Sequence, residues 1–284
     1  MREIGGVRAA LPRPEAHRMP VALPRLRRTR QLLVLAAGLA LGACAPTATV
    51  VPAPTIASGD ALLEAMRQRY DGKWYRTLTF TQRTVQVAPT GGPERHGTWY
   101  EAMQAPGRLR IDTDSTLRSG QLFARDSQFL VLNGDVRRAA AGHNVLLVLG
   151  FDVYAQPAAR TSAILRELGF PNGPVREDTW QGRPVWVVGG RAGDLRSHQY
   201  WVDRERLVFV RLLQPFPGDT TQTFDVRFNK YRPLEGGWIA PEVEAFVGTR
   251  RILFEEYADV KANVDLDPRL FDPRAWTAAR HWRR

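Results

Sequence analysis

The sequence predicts a mainly β (α+β) protein: a single strongly curved antiparallel sheet of about eleven strands, with helices covering its concave face. Three observations predict it. Two long series of strand-like segments run from Trp74 to Ala139 and from Val175 to Ala262, punctuated by hairpin turn signals. Thr223 to Tyr231 alternates, with Phe224, Val226 and Phe228 on one side and Asp225, Arg227 and Asn229 on the other, so one face is buried and one is wet. Helical spacing is confined to two places, an opening segment and an insertion between the two series. A sheet this large curls, and its greasy side needs cover.

Taken in order, Ser58 or Asp60 caps a helix that starts near Gly59 and stops at Gly72. Leu62, Leu63, Met66 and Tyr70 share one of its faces. The first series follows. Trp74 to Val87 is rich in Thr, aromatic and β-branched residues. Strands at Thr98–Gln104 and Arg108–Asp114 are broken by Pro106-Gly107. Gln121–Arg125 and Gln128–Leu132 meet at Asp126-Ser127. Asn133-Gly134 is a type I′ hairpin signal leading into Asp135–Ala139. His143–Phe151 is apolar without period-2 alternation, and Thr161–Leu168 places Ile164, Leu165 and Leu168 on one side before Gly169, so Asn144–Gly169 reads as one or two inserted helices. The second series is Val175–Trp180, Pro184–Val188, His198–Val202, Leu207–Leu213, Thr223–Tyr231, Trp238–Val247 and Arg250–Ala262. Leu266–Arg284 wraps as a loop or short helix.

The amino-terminal part has a different character. Arg25, Arg27, Arg28 and Arg30 precede a short apolar run, Leu32 to Leu41, and then Gly42-Ala43-Cys44. A basic head, an apolar core and a small-residue exit make a secretory signal peptide over residues 1–43. Met19 is an alternative start. The run is too short to cross a hydrocarbon layer, which takes about 20 helical residues. Leu-Gly-Ala-Cys resembles the lipobox of bacterial lipoproteins, which implies diacylglycerol on Cys44 and an acylated new amino terminus. Cys44 is the only cysteine, so no internal disulfide forms. Residues 44–58 hold three prolines and no charges, a flexible tether. Residues 59–284 are then one domain, anchored to a membrane in the cell envelope. Ala45 after the cysteine favours the outer membrane, facing the periplasm.

The net charge of +11 is partly leader: residues 1–44 carry eight arginines against two glutamates, which leaves +5 for the rest. Spread over the mature chain, that excess marks no nucleic-acid surface. Neither a nucleophile elbow nor a phosphate-binding glycine loop is present, and no histidine pair has metal-ligand spacing. The expectation is therefore no enzyme, no metal, no cofactor and a monomer. Glu255-Glu256 and Asp265-x-Asp267 read as solvated surface, the first because adjacent strand residues face opposite ways. Trp74, Trp99, Trp180, Trp186, Trp201 and Trp238 lie in or at the start of strands and together furnish a large apolar interior.

A series of loose motifs in a definite order carries a resemblance. It comprises Phe80-x-Gln82, Gly97-x-x-Tyr100, Pro106-x-Arg108-Leu109-Arg110-Ile111, Tyr200-Trp201-Val202-Asp203, Phe228-x-x-Tyr231, Gly237-Trp238-Ile239-Ala240-Pro241 and Val260-x-x-Asn263-Val264-x-Leu266. Over residues 59–272 the chain resembles the outer-membrane lipoprotein carriers, the LolA/LolB-like family. The resemblance implies an unclosed half-barrel with helices over its hollow. It also implies a non-enzymatic activity: holding lipid or lipoprotein acyl chains there, in lipid or lipoprotein trafficking or sorting. The anchor sets this chain apart from the family's soluble carrier and brings it nearer the membrane-bound acceptor. Trp99, Trp186, Trp201, Phe224, Val226 and Phe228 are the expected lining of the hollow. The alternative expectation on the same fold is a periplasmic protein-interaction or sensing module.

Overall fold

The computed structural model describes residues 56–124 and 126–283. The leader, Cys44 and residues 45–55 of the tether lie outside the described residues. The main sheet has thirteen strands: β1 Thr77–Gln86, β2 Arg95–Gln104, β3 Arg108–Asp112, β4 Gly120–Ala124, β5 Ser127–Leu132, β6 Asp135–Ala141, β7 Val175–Trp180, β8 Arg183–Val188, β9 Gln199–Asp203, β10 Phe209–Phe216, β11 Asp219–Asn229, β14 Glu242–Val247 and β15 Arg250–Ala262. Two short strands, β12 Arg232–Leu234 and β13 Gly237–Ile239, pair by themselves. The sheet order is β6-β5-β4-β3-β2-β1-β15-β14-β11-β10-β9-β8-β7, and the two edges do not meet. Each run read from the sequence yields one strand of this sheet. The Trp238–Val247 run splits because the chain leaves the sheet at Ala240-Pro241, and Pro241 has no N–H to give a ladder.

The sequence order explains the topology. Neighbours within each series pair through short turns, and β15 returns between β1 and β14 to join the two series antiparallel. Asn133 and Gly134 both have positive φ, as a type I′ turn requires.

The helices lie on one face of the sheet. Helix α1, Gly59–Arg69, is capped by Ser58, whose Oγ accepts from the Ala61 N–H at 3.2 Å. A Cβ on Gly59 would sit 2.9 Å from Val188 and 3.1 Å from the Tyr200 hydroxyl, so the helix start rests directly on β8 and β9. Helix α2, Val145–Gly150, is capped by Asn144, whose Oδ1 accepts from Leu146 and Leu147. A short 3-10 turn, Asp152–Tyr154, leads to α3, Ala158–Glu167, which packs on α1. Ser162 donates to Asp60 at 2.6 Å across that contact.

Directly opposed antiparallel residues share a face, which sorts the side chains. Leu78, Phe80, Met103, Leu109, Val243, Val226, Leu212 and Tyr200 point inward, toward the helices. The outer face carries a second, smaller core. Ala102, Leu122, Ala124 and Val131 pack there against Leu270, Phe271, Trp276 and Ala279 of the carboxy-terminal tail. That tail makes two 3-10 turns, Pro268–Phe271 and Pro273–Ala275, each capped by an aspartate. Asp267 is one of these caps and also accepts from the Arg280 N–H at 2.8 Å.

Candidate functional site

Two files of opposed residues cross the inner face of the first series. One runs Leu78, Met103, Leu109, Phe123, Gln128, Ala140, and the other Phe80, Glu101, Ile111, Gln121, Leu130, Arg138. At the β1 end these files are buried and covered by α2. At the β6 end Gln121, Gln128, Leu130 and Arg138 are exposed and line an open groove of about 230 Å³. The inner face is thus a trough, roofed at one end and open at the other.

Beneath the roof lies a cavity of about 60 Å³. Leu146, Leu147 and Phe151 form its ceiling, and Phe80, Met103, Leu109, Phe228, Val243 and Tyr257 its apolar floor and walls. Ligand pockets usually hold roughly 300–1,000 Å³, several times this volume. The space beneath α2 is therefore far smaller than a pocket for a whole acyl chain. Two contacts hold the end of α2 in place. Gly150 meets Phe228 so closely that a Cβ there would lie 3.1 Å from the ring. Asp152 Oδ1 accepts from the Gly107 N–H at 2.9 Å, tying the turn after α2 to the β2–β3 connection.

Two carboxyl groups, Glu101 and Glu255, also line this cavity. Glu101 is 6% exposed. Burial, and then the charge of Glu255, push its carboxyl well above the usual range. Burial holds Glu255 up at about 7, against the pull of hydrogen bonds from Tyr257 and Gln82. Asp152 is likewise raised to about 7 by burial. Glu255 was expected on solvated surface, and the structure corrects this. Only Glu256 faces outward, where Arg83 binds it at 3.0 Å.

The residues expected to line the hollow divide. Phe228 lines the cavity itself. Phe224 and Val226 follow it on the inner face of β11, and Trp99 faces inward beside Gln82. Trp186 is on the inner side, since it opposes Val202, but it lies at the far end with Arg204 over its ring at 4.3 Å. Trp201 is a correction: it opposes Arg211, an outer residue, and stands on the outer face. There Arg211 stacks between Trp180 and Trp201, at 4.2 and 4.8 Å, and bonds Asp225. The aromatic interior is accordingly smaller than six tryptophans would make it. Sequence reasoning missed Glu101, because only the strand register places it opposite Phe80 and near Glu255.

Among the described residues no group of acids, histidines or cysteines could hold a metal ion. No helix among them is long and apolar enough to cross a membrane.

No protein-family model matches the chain, and no curated protein matches it. Solved structures do. A domain named for outer membrane lipoprotein sorting, from Vibrio parahaemolyticus, superposes with a TM-score of 0.51 at 11% identity, over 77% of this chain and 97% of that one. A LolA superfamily protein from Nitrosomonas europaea gives 0.48 at 9% identity, over 74% and 96%. A DUF1329 family protein from Desulfovibrio piger gives 0.48 at 13%, over 75% and 95%. The chain has the LolA/LolB-like fold, a large antiparallel sheet left open as a half-barrel.

Proposed function

We propose that the protein is a lipid-anchored lipoprotein of the bacterial envelope, at the outer membrane, whose half-barrel takes a lipid or lipoprotein acyl chain beneath α2. One observation carries the reading: an apolar cavity under a short helix, at the closed end of a trough whose other end is open. The likeness in fold to a lipoprotein-sorting domain supports it, and so does the leader ending at Cys44. Each buried methylene contributes about 0.8 kcal/mol, so even a short chain under α2 binds usefully. Carriage of this kind needs no catalytic group.

Two measurements test it. Cys44→Ser should move the full chain from the membrane to the soluble fraction, and labelled palmitate should be lost with it. The purified variant should then take up a fluorescent long-chain alcohol and release co-purified lipid to mass spectrometry. No uptake and no extracted lipid would refute the acyl-binding half. A protein partner is the second reading, favoured by the exposed Leu130, Leu132 and Val136 on the edge hairpin β5–β6. Capture of one envelope protein, lost on changing those three residues to serine, would support that reading instead.

A further inference from the structure

We infer that the hollow selects an amphiphile bearing a protonated amine, with the amine in the cavity that Glu101 and Glu255 line. This deepens the acyl-chain reading and rests on it. The argument concerns missing counter-ions. Five acids are buried among the described residues: Glu101, Asp112, Asp152, Asp203 and Asp225. Asp112 holds Arg110 at 2.8 and 2.9 Å, Asp203 holds Arg183, and Asp225 holds Arg211 and Arg227. Asp152 has a backbone N–H. Glu101 has neither an ion pair nor a hydrogen bond, although it is 6% exposed and lines a cavity. Glu255 has the Tyr257 hydroxyl at 3.2 Å and no cation. Gln82, fully buried beside them on the inner face, keeps its Oε1 unpartnered while its amide donates to Thr84.

Three of the other four buried acids hold arginine, whereas Glu101 and Glu255 face the cavity without a base. Acids lining a cavity without a base are satisfied by a proton, by water or by a cation from outside. An alkylammonium brings three N–H donors and a positive charge, the partners these acceptors lack. Its chain would occupy the apolar floor of Phe80, Met103 and Leu109. A fatty carboxylate in the same cavity would add a third acid to two, so the site discriminates by repulsion as well as by attraction. Burial raises both carboxyls, as expected of acids that lack a cation.

The test uses the full chain carrying Cys44→Ser, titrated by tryptophan fluorescence at pH 7.5 with dodecylamine, dodecanoate and dodecanol. The amine should bind at least about tenfold tighter than the carboxylate, the ratio expected when one partner pairs a buried acid and the other repels it. Glu101→Gln with Glu255→Gln, nearly isosteric, should erase that ratio while dodecanol still binds. Equal affinity for amine and carboxylate in the parent, or a preference that persists in the double variant, would overturn the inference and leave acyl binding intact. Failure of all three probes would overturn both.

Discussion

Glu101, Glu255 and Asp152 set an unusual pH response. Burial raises each of them, Glu255 and Asp152 to about 7 and Glu101 well above its usual range. Between the ordinary carboxylate range and about pH 7 the folded chain binds more protons at these sites than the unfolded chain does. Stability therefore falls as pH rises through that window. Asp178 and Asp203, lowered by Arg176 and, against burial, by Arg183, act oppositely and lose their contribution only in more acid solution. The melting temperature should thus be higher at pH 5.5 than at pH 8, and Glu101→Gln should flatten the difference. A melting temperature that climbs steadily from pH 5.5 to 8 would contradict this. None of it is legible in the sequence. Alternation shows that Glu255 and Glu256 part ways, but not which one turns inward. A bulge in the β1–β15 pairing lies between Thr79 and Thr81, so counting along the strand does not carry the facing across. Trp201 escaped for a related reason: Tyr200, Trp201 and Val202 are all apolar and all buried, so no polar neighbour marks the turn of the pleat.

At the scale of elements, the legible parts were those whose pattern is local. Ser58 and the spacing Leu62, Leu63, Met66 give α1, and Asn133-Gly134 gives the β5–β6 hairpin. The tail was read only as a wrap because its role depends on partners far away in the chain. Arg110 of β3, 2% exposed, is the clamp. It bonds Asp112 twice, donates to the Trp276 carbonyl at 3.0 Å and stacks on the Trp276 ring at 3.8 Å. His281 Nε2 reaches Asp112 at 3.1 Å from the other side. Arg110→Ala leaves Asp112 buried without its cation, which costs about 3–5 kcal/mol. Urea denaturation should show that loss, whereas Arg83→Ala, which breaks an exposed pair, should cost under about 1 kcal/mol. Equal small effects would mean that the tail does not hold the outer face.

The whole molecule couples these parts through α2. Thirteen strands are hydrogen-bonded side by side, and the tail packs on part of the outer face, so the sheet is the most extensively bonded part of the fold. The roof is a six-residue helix whose first turn depends on one side chain, Asn144, and whose last residue rests on Phe228. Such short, locally held elements open at lower free energy than the core they cover. On the proposed reading, a 60 Å³ cavity is too small for an acyl chain, so binding follows opening from a minor competent state. Stopped-flow uptake of a fluorescent long-chain alcohol should then saturate at a rate independent of probe concentration. Asn144→Ala removes the cap, worth about 1 kcal/mol, and raises the open population by several-fold. That variant should tighten apparent affinity and lift the plateau while lowering global stability by no more than about 1 kcal/mol, the worth of the cap. An observed rate that rises linearly with probe concentration, unaltered by Asn144→Ala, would mean the hollow is entered from the open end of the trough without α2 moving.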